Sequence, residues 1–337
     1  MLVPFTLDPD VFSNTYTQDE LYRHEKLIEL WQQVGCFMVA GSSESGSRFY
    51  IALNDAPTAI RKRWQIALKQ LRRSCCVVDF DPDENNESSE WISKLSNSVE
   101  VISLEATRAF CWGLPEDQYS ITKNGVTEIC RFGHESEAAI FKRARLLLNA
   151  PIEEGQSVHQ VWVERFQQLA LDSRTIVVTD RYALENFVKH RGAGYSGLER
   201  LMMELASLQK GKPRNLRLIT GLPPEWSHTD LSQAVENIEN FCVGLRGRSL
   251  RELQLFCGEG KIFCDHAHYR SIRFDDYQLF HIDTGLEPLA GERVKRTCPT
   301  SLLPWNHEVC KAYQKVEKEV LSQCRFKRHI PCQILSI

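Results

Sequence analysis

The chain has 337 residues, enough for two domains with separate cores. Apolar residues at 42% and charged residues at 25% describe an ordinary soluble globular protein, and the net charge of −3 argues against a strongly basic nucleic-acid binder. No apolar run approaches the ~20 residues that a membrane helix needs, and the N-terminus lacks a signal-peptide pattern, so the expected location is the cytoplasm.

The chain opens on an extended segment, Val3 to Asp8. A capping box, Thr17-Gln-Asp-Glu20, then precedes a helix with Leu21, Leu27, Ile28, Trp31 and Val34 inward. A strand over Cys36–Ala40 leads to a Gly/Ser loop at 41–47, which lacks the Gly-Lys-Ser/Thr ending of a P-loop and reads as surface. Cys76–Asp79 and Val99–Leu104 read as further strands, separated by the acidic stretch Asp79–Glu90. Asp8, Asp79 and Glu105 fall at strand ends, where a PIN-like metal nuclease would hold its acidic cluster. Carboxylates also commonly cap and terminate elements.

The polar stretch 149–157, NAPIEEGQS, marks the division into domains 1–150 and 151–337. Beyond it, Val161, Trp162, Phe166 and Leu169 have helical spacing. A strand over Ile176–Val178 follows. The next helix carries Leu198, Leu201, Met202, Leu205 and Leu208 on one face and stops at Gly211. A strand over Leu216–Thr220 precedes a helix capped by Ser227 and Asp230, with Leu231, Ala234, Val235, Ile238 and Phe241 on its apolar face. Strands over Glu252–Cys257, around His268 and over Gln278–Ile282 follow, and a helix over Glu308–Gln323 closes the series. Alternating β and α units that end in a hairpin predict an α/β fold. It has an open C-terminal sheet covered by helices, preceded by a smaller N-terminal α/β domain.

The 12 cysteines include no Cys-x-x-Cys pair, and Cys298, Cys310, Cys324 and Cys332 with His307 and His329 fit no common zinc spacing. Reduced buried thiols are expected, with no metal and no cofactor. The chemistry concentrates in His268-Tyr-Arg-Ser-Ile-Arg-Phe-Asp275. Residues two apart on a strand share a face, which puts His268 and Arg270 together, with Ile272 and Phe274 beyond them. A nucleophile beside a fixed cation, with a carboxylate to orient the ring, suits attack on a phosphodiester. A structural ion pair uses the same residue types.

The segment His268–Leu289, HYRSIRFDDYQLFHIDTGLEPL, resembles the phospholipase-D-like domain that follows microtubule-interacting-and-transport domains, and its prokaryotic relatives. In that family a His-x-Arg-x-Ile-Arg-Phe strand leads to a second strand and a Gly-Leu-Asp turn, read here as Gly285-Leu286-Glu287. The stretch Thr175 to Tyr182 looks like the family's first strand, which ends in an Asp and an aromatic residue. The likeness runs from about residue 159 to about residue 300. The wider superfamily uses His-x-Lys with an Asp after four more residues; here Arg270 replaces the Lys, and Asp275 stands at the matching offset.

The resemblance implies His268, Arg270 and Asp275 as catalytic residues, and Thr284, Asp180, His266 and Arg273 as substrate-binding residues. His268 would form a phosphohistidine, and Arg270 would hold the non-bridging oxygens. Superfamily enzymes use two half-sites and only one is found here, so a homodimer would pair two His268 side chains without metal. The implied function is a phosphodiesterase, a nuclease in prokaryotic defence or genome maintenance. One alternative is a non-catalytic module binding nucleic acid, anionic lipid or a protein partner. Another places function in the N-terminal half, with the C-terminal domain as a dimerising platform. Basic runs at Arg293–Arg296 and Arg325–His329 are solvated charge by default.

Overall fold

The computed structural model describes residues 2–13, 17–40, 47–76, 95, 98–123, 125, 127–190, 194–208, 213–245, 249–264, 270–304 and 308–332. The fold is α/β, with two mixed sheets and connecting helices in two compact units, Leu2–Leu146 and Leu147–Ile337. No described helix is long and apolar enough to cross a membrane.

The N-terminal unit has six strands: β1 (Val3–Leu7), β2 (Gly35–Ala40), β3 (Arg73–Cys76), β4 (Val101–Leu104), β5 (Ser120–Lys123) and β6 (Thr127–Arg131). They run in the order β3-β2-β1-β4-β6-β5, and every neighbouring pair is parallel except β5 with β6. The helix Gln18–Val34 forms where the capping residue predicts, with Thr17 accepting from the Glu20 N–H at 3.0 Å. Its buried stripe is His24, Leu27, Leu30, Trp31 and Val34. Leu21 and Ile28 are only half-buried. The helix packs an aromatic core: Trp31 lies 6.1 Å from Phe5 and 5.9 Å from Trp64, and Phe37 lies 4.9 Å from Phe49.

His24 sits within this core, stacked on Phe12 with ring centroids 5.3 Å apart. Trp64 Nε1–H donates to its Nδ1 at 3.0 Å, so the neutral ring carries its proton on Nε2. Burial pushes its pKa down from 6.5 to about 4. Above pH 6.5 the ring is neutral in both states and its burial carries no proton-linked penalty. As pH falls from 6.5 to 4 the unfolded chain binds a proton that the native state refuses, at a cost approaching about 3 kcal/mol. Urea unfolding of this unit therefore loses midpoint over that window. His24→Asn, which keeps an acceptor for Trp64, flattens the loss; an equal slope in the variant would contradict this assignment.

The C-terminal unit has β7 (Thr175–Thr179), β8 (Arg214–Leu222), β9 (Leu250–Glu259), β10 (Ser271–Phe274), β11 (Gln278–Ile282), β12 (Thr300–Pro304) and β13 (Phe326–Pro331), in the order β12-β11-β10-β7-β8-β9-β13. β7, β8 and β9 are mutually parallel, and β10 pairs antiparallel with both β7 and β11. The capping boxes at Ser196–Glu199 and Ser227–Asp230 start the helices Gly197–Ser207 and His228–Gly244. Gly211 lies outside the described residues, and the first of these helices ends at Ser207.

Strand alternation divides the core between two faces of this sheet. Phe274 and Phe280 meet Phe166, the latter at 4.6 Å, from a helical segment that runs Val158–Val161, a π-helical turn Trp162–Gln167, and Gln168–Asp172. Val177, Ile219 and Phe256 cluster with Val316 and Val320 of the helix Cys310–Gln323. The stretch 149–157 is tied into this unit by bridges from Ile152 to Cys298 and from Ser157 to Arg293.

Candidate functional site

Register aligns Thr179 of β7 with Ser271 of β10, and Ser271 with His281 of β11. The carboxyl ends of β7, β8 and β9 therefore share one edge with the start of β10 and the end of β11. Open α/β sheets bind ligands in the crevice outside such an edge. Asp180, the first residue past β7, is buried there. Its carboxylate accepts from the Tyr182 N–H at 3.0 Å and from the Leu286 N–H at 2.9 Å. Burial raises its pKa; the two backbone donors and Arg270 act in the opposite direction.

Arg270 stands immediately before β10, its guanidinium 5.1 Å from the Tyr182 ring centroid. Nη1 reaches the Asp283 carbonyl at 3.3 Å, while the buried Nε–H has no hydrogen-bond partner among the described residues. Arg181 lies 5.2 Å from the same ring. Gly221 and Gly260 leave it room, since a Cβ on either would come within 3.0 or 3.1 Å of its side chain. Tyr182 itself is 37% exposed. Two guanidiniums are thus gathered on one ring, beside a buried carboxylate held by backbone donors, and guanidinium groups suit phosphate oxygens.

Gly285 closes the site. Its φ of +71° belongs to the left-handed region, and a Cβ there would lie 2.3 Å from Asp180 Oδ2 and 3.0 Å from Arg270 Cδ. Thr284, one residue earlier, donates to Cys298 Sγ at 2.8 Å. Glu287, just after the turn, lies 3.0 Å from His190 Nε2 and 3.3 Å from Lys295 Nζ.

Of the residues singled out by sequence, Asp180, Arg270 and Thr284 are brought to this edge. His268 and His266 lie outside the described residues. Asp275 is at the opposite end of β10, in a turn with φ +45°, and accepts from the Arg174 N–H at 3.0 Å and the Thr175 N–H at 2.8 Å. It anchors the start of β7. Arg273 points to the other face, where its Nε and Nη2 reach the Glu317 carboxylate at 2.9 and 2.8 Å and Nη1 reaches Asp276 at 3.0 Å. This is a buried tie between β10 and the helix Cys310–Gln323. Arg181 and Tyr182 were not singled out as site residues; the sequence signal for them is an Arg-Tyr pair directly past a strand-end Asp.

In the N-terminal unit the order β2-β1-β4 makes a switch point, with Asp8 after β1 and Glu105 after β4. Asp8 is buried and accepts from Arg108 Nε at 2.8 Å, and Arg108 also pairs with Asp10. Glu105 caps the helix Ala106–Cys111, accepting from the Thr107 N–H at 2.7 Å. Asp79 lies outside the described residues. Among the described residues no group of three or more His, Cys, Asp or Glu is placed to hold a metal.

The chain is an α/β protein of two units, with Asp180, Arg181, Tyr182 and Arg270 gathered at one sheet edge. No protein-family model matches it, and no curated protein matches it. Among solved structures it is similar to the phosphatidylserine synthase of Haemophilus influenzae, at 14% identity and a TM-score of 0.28. The match covers 54% of this chain and 39% of that one, so the chain spans well under half the length of that protein.

Proposed function

We propose that the C-terminal unit is a phospholipase-D-like domain and that the protein is a metal-independent phosphodiesterase, a nuclease. The observation that carries this reading is the position of Arg270. It follows the sequence nucleophile His268 by two residues, and its guanidinium lies at the carboxyl edge of the sheet with one buried N–H unpartnered among the described residues. In the proposed reaction a His268 ring nitrogen attacks phosphorus, and the leaving oxygen takes a proton from the second His268 of a homodimer. Water then cleaves the phosphohistidine, its proton returning to that second imidazole. Arg270, supported by Tyr182 and Arg181, stabilises the charge that develops on the non-bridging oxygens.

A second reading, a non-catalytic module that binds a phosphoester, is favoured by one observation. Asp275 is committed to the backbone N–H groups that start β7, at the other end of β10 from Arg270, so the motif's carboxylate is not part of this edge. Labelled single- and double-stranded DNA and RNA, incubated in EDTA with wild type and His268→Ala, separate the two. Cleavage by the wild type alone is expected. Binding without cleavage in EDTA, magnesium or manganese would leave the binding module in its place, and metal-dependent cutting that survives His268→Ala would move the chemistry to the N-terminal unit.

A further inference from the structure

Two cysteines meet where the sheet of the C-terminal unit ends. β13 is a terminal strand, paired antiparallel with β9, and the Cys332 N–H extends that ladder by donating to the Arg251 carbonyl at 2.9 Å. Arg328, Ile330 and Cys332 alternate onto one face of the strand. The helix His228–Gly244 packs on that face: Glu239 takes Arg328 Nη2 at 2.7 Å, and Cys242 follows three residues later on the same side of the helix. The thiols of Cys242 and Cys332 are in hydrogen-bond contact. Cys242 is fully buried and Cys332 is 6% exposed, and both are free thiols.

The pair lies on separate elements, about 90 residues apart, yet its sulfurs already touch, so a bond between them needs little movement. The contact favours the thiolate at Cys332. The Cys242 S–H donates to that sulfur and lowers its pKa; the Leu253 N–H acts in the same direction, while burial and Glu252 oppose. The same contact, with burial, raises the Cys242 pKa. Cys332 is therefore the attacking sulfur and Cys242 the resolving one. Burial alone pushes the Cys310 thiol up to about 11, which keeps it inert. We infer that Cys242 and Cys332 form a reversible disulfide in response to peroxide, closing β13 onto the helix His228–Gly244. The Cys332 thiolate attacks one oxygen of hydrogen peroxide and the O–O bond breaks, leaving a sulfenic acid and a hydroxide that takes up the proton Cys332 had lost. The Cys242 sulfur then attacks the sulfenic sulfur. The S–S bond forms, the S–O bond breaks, and the departing oxygen leaves as water with the Cys242 proton. Two thiols are oxidised and one peroxide is reduced to two waters. Exchange with a dithiol reverses the step.

Peptide mapping of the full chain, after hydrogen peroxide treatment and alkylation of the remaining thiols, tests this. Trypsin places the two cysteines in the stretches 218–246 and 329–337, neither of which holds another cysteine. The expected product is these two peptides joined and lighter by two hydrogens, lost on dithiothreitol treatment and absent from Cys332→Ser. Oxidised wild type should also gain urea midpoint, because a bond across about 90 residues restricts the unfolded chain, and Cys242→Ala should not. Cys111, exposed at the end of the helix Ala106–Cys111, is the internal control for oxidation by access alone. Cys111 oxidised while Cys242 and Cys332 are both recovered alkylated would overturn the inference. So would Cys332 joined to any other cysteine, or a Cys242–Cys332 bond that forms only in urea-unfolded protein and owes nothing to this packing.

Discussion

Gly285→Ala destabilises the C-terminal unit by several kcal/mol and removes phosphoester recognition with it. Two effects act together. The residue holds φ +71°, where an L side chain costs roughly 1–2 kcal/mol. The added methyl would also stand 2.3 Å from Asp180 Oδ2 and 3.0 Å from Arg270 Cδ, atoms fixed by the hydrogen bonds to Tyr182 and Leu286 and by the Tyr182 stack. Neither neighbour is a free side-chain end, so the turn must move, and Leu286 N–H leaves the buried carboxylate it satisfies. Urea denaturation with parallel anisotropy on a labelled oligonucleotide checks both halves. A stable, fully binding Gly285→Ala protein would mean that the Asp180–Gly285 clasp does not hold the site.

Arg273→Met costs about 3–5 kcal/mol, the range for stranding one member of a buried ion pair. Arg273 is 8% exposed and Glu317 is 6% exposed, and the guanidinium meets the carboxylate through two of its nitrogens. Removing the cation leaves the carboxylate in the interface between β10 and the helix Cys310–Gln323 with its main partner gone. The double variant Arg273→Met/Glu317→Leu recovers most of the loss, because a well-packed apolar pair needs no compensation for buried charge. A double-mutant cycle by urea unfolding measures this. Additive losses in the double variant would contradict a coupled pair.

The contrast between Arg270 and Arg273 shows what was legible in the sequence. Both stand in the same octapeptide, and residue type does not separate them. The α/β class, the hairpin β10–β11 and the caps at Thr17 and Ser227 are readable, because apolar periodicity and Thr-x-x-Glu or Ser-x-x-Asp spacing are local signals; the Ser196–Glu199 box carries the same kind of signal and is added by the structure. The destination of Asp275 was not, because it depends on β7 pairing across a separation of about 100 residues. His24 escaped the stripe assigned to the first helix because a polar ring reads as surface until Trp64, 40 residues away, supplies its partner. β13, with only Ile330 buried in Phe326–Pro331, reads as a basic run because it is an edge strand with little apolar alternation. Arg214 is fully buried through contacts to the carbonyls of Ala170 and Leu171, an arrangement that no single-residue pattern announces.

The central claim is that phosphoester chemistry takes place at the carboxyl edge of the C-terminal sheet, around Arg270, and not at the opposite end of β10. The metal-free cleavage comparison tests it most directly when Arg270→Ala and Asp275→Asn are assayed side by side in EDTA at matched folded fraction. A loss on the order of 10²–10³ is expected for Arg270→Ala, as for other groups that stabilise developing charge. Asp275→Asn, which keeps an acceptor for the Arg174 and Thr175 N–H groups, should cut within about twofold of wild type by the same reasoning. Cleavage abolished by Asp275→Asn and undiminished by Arg270→Ala would contradict it.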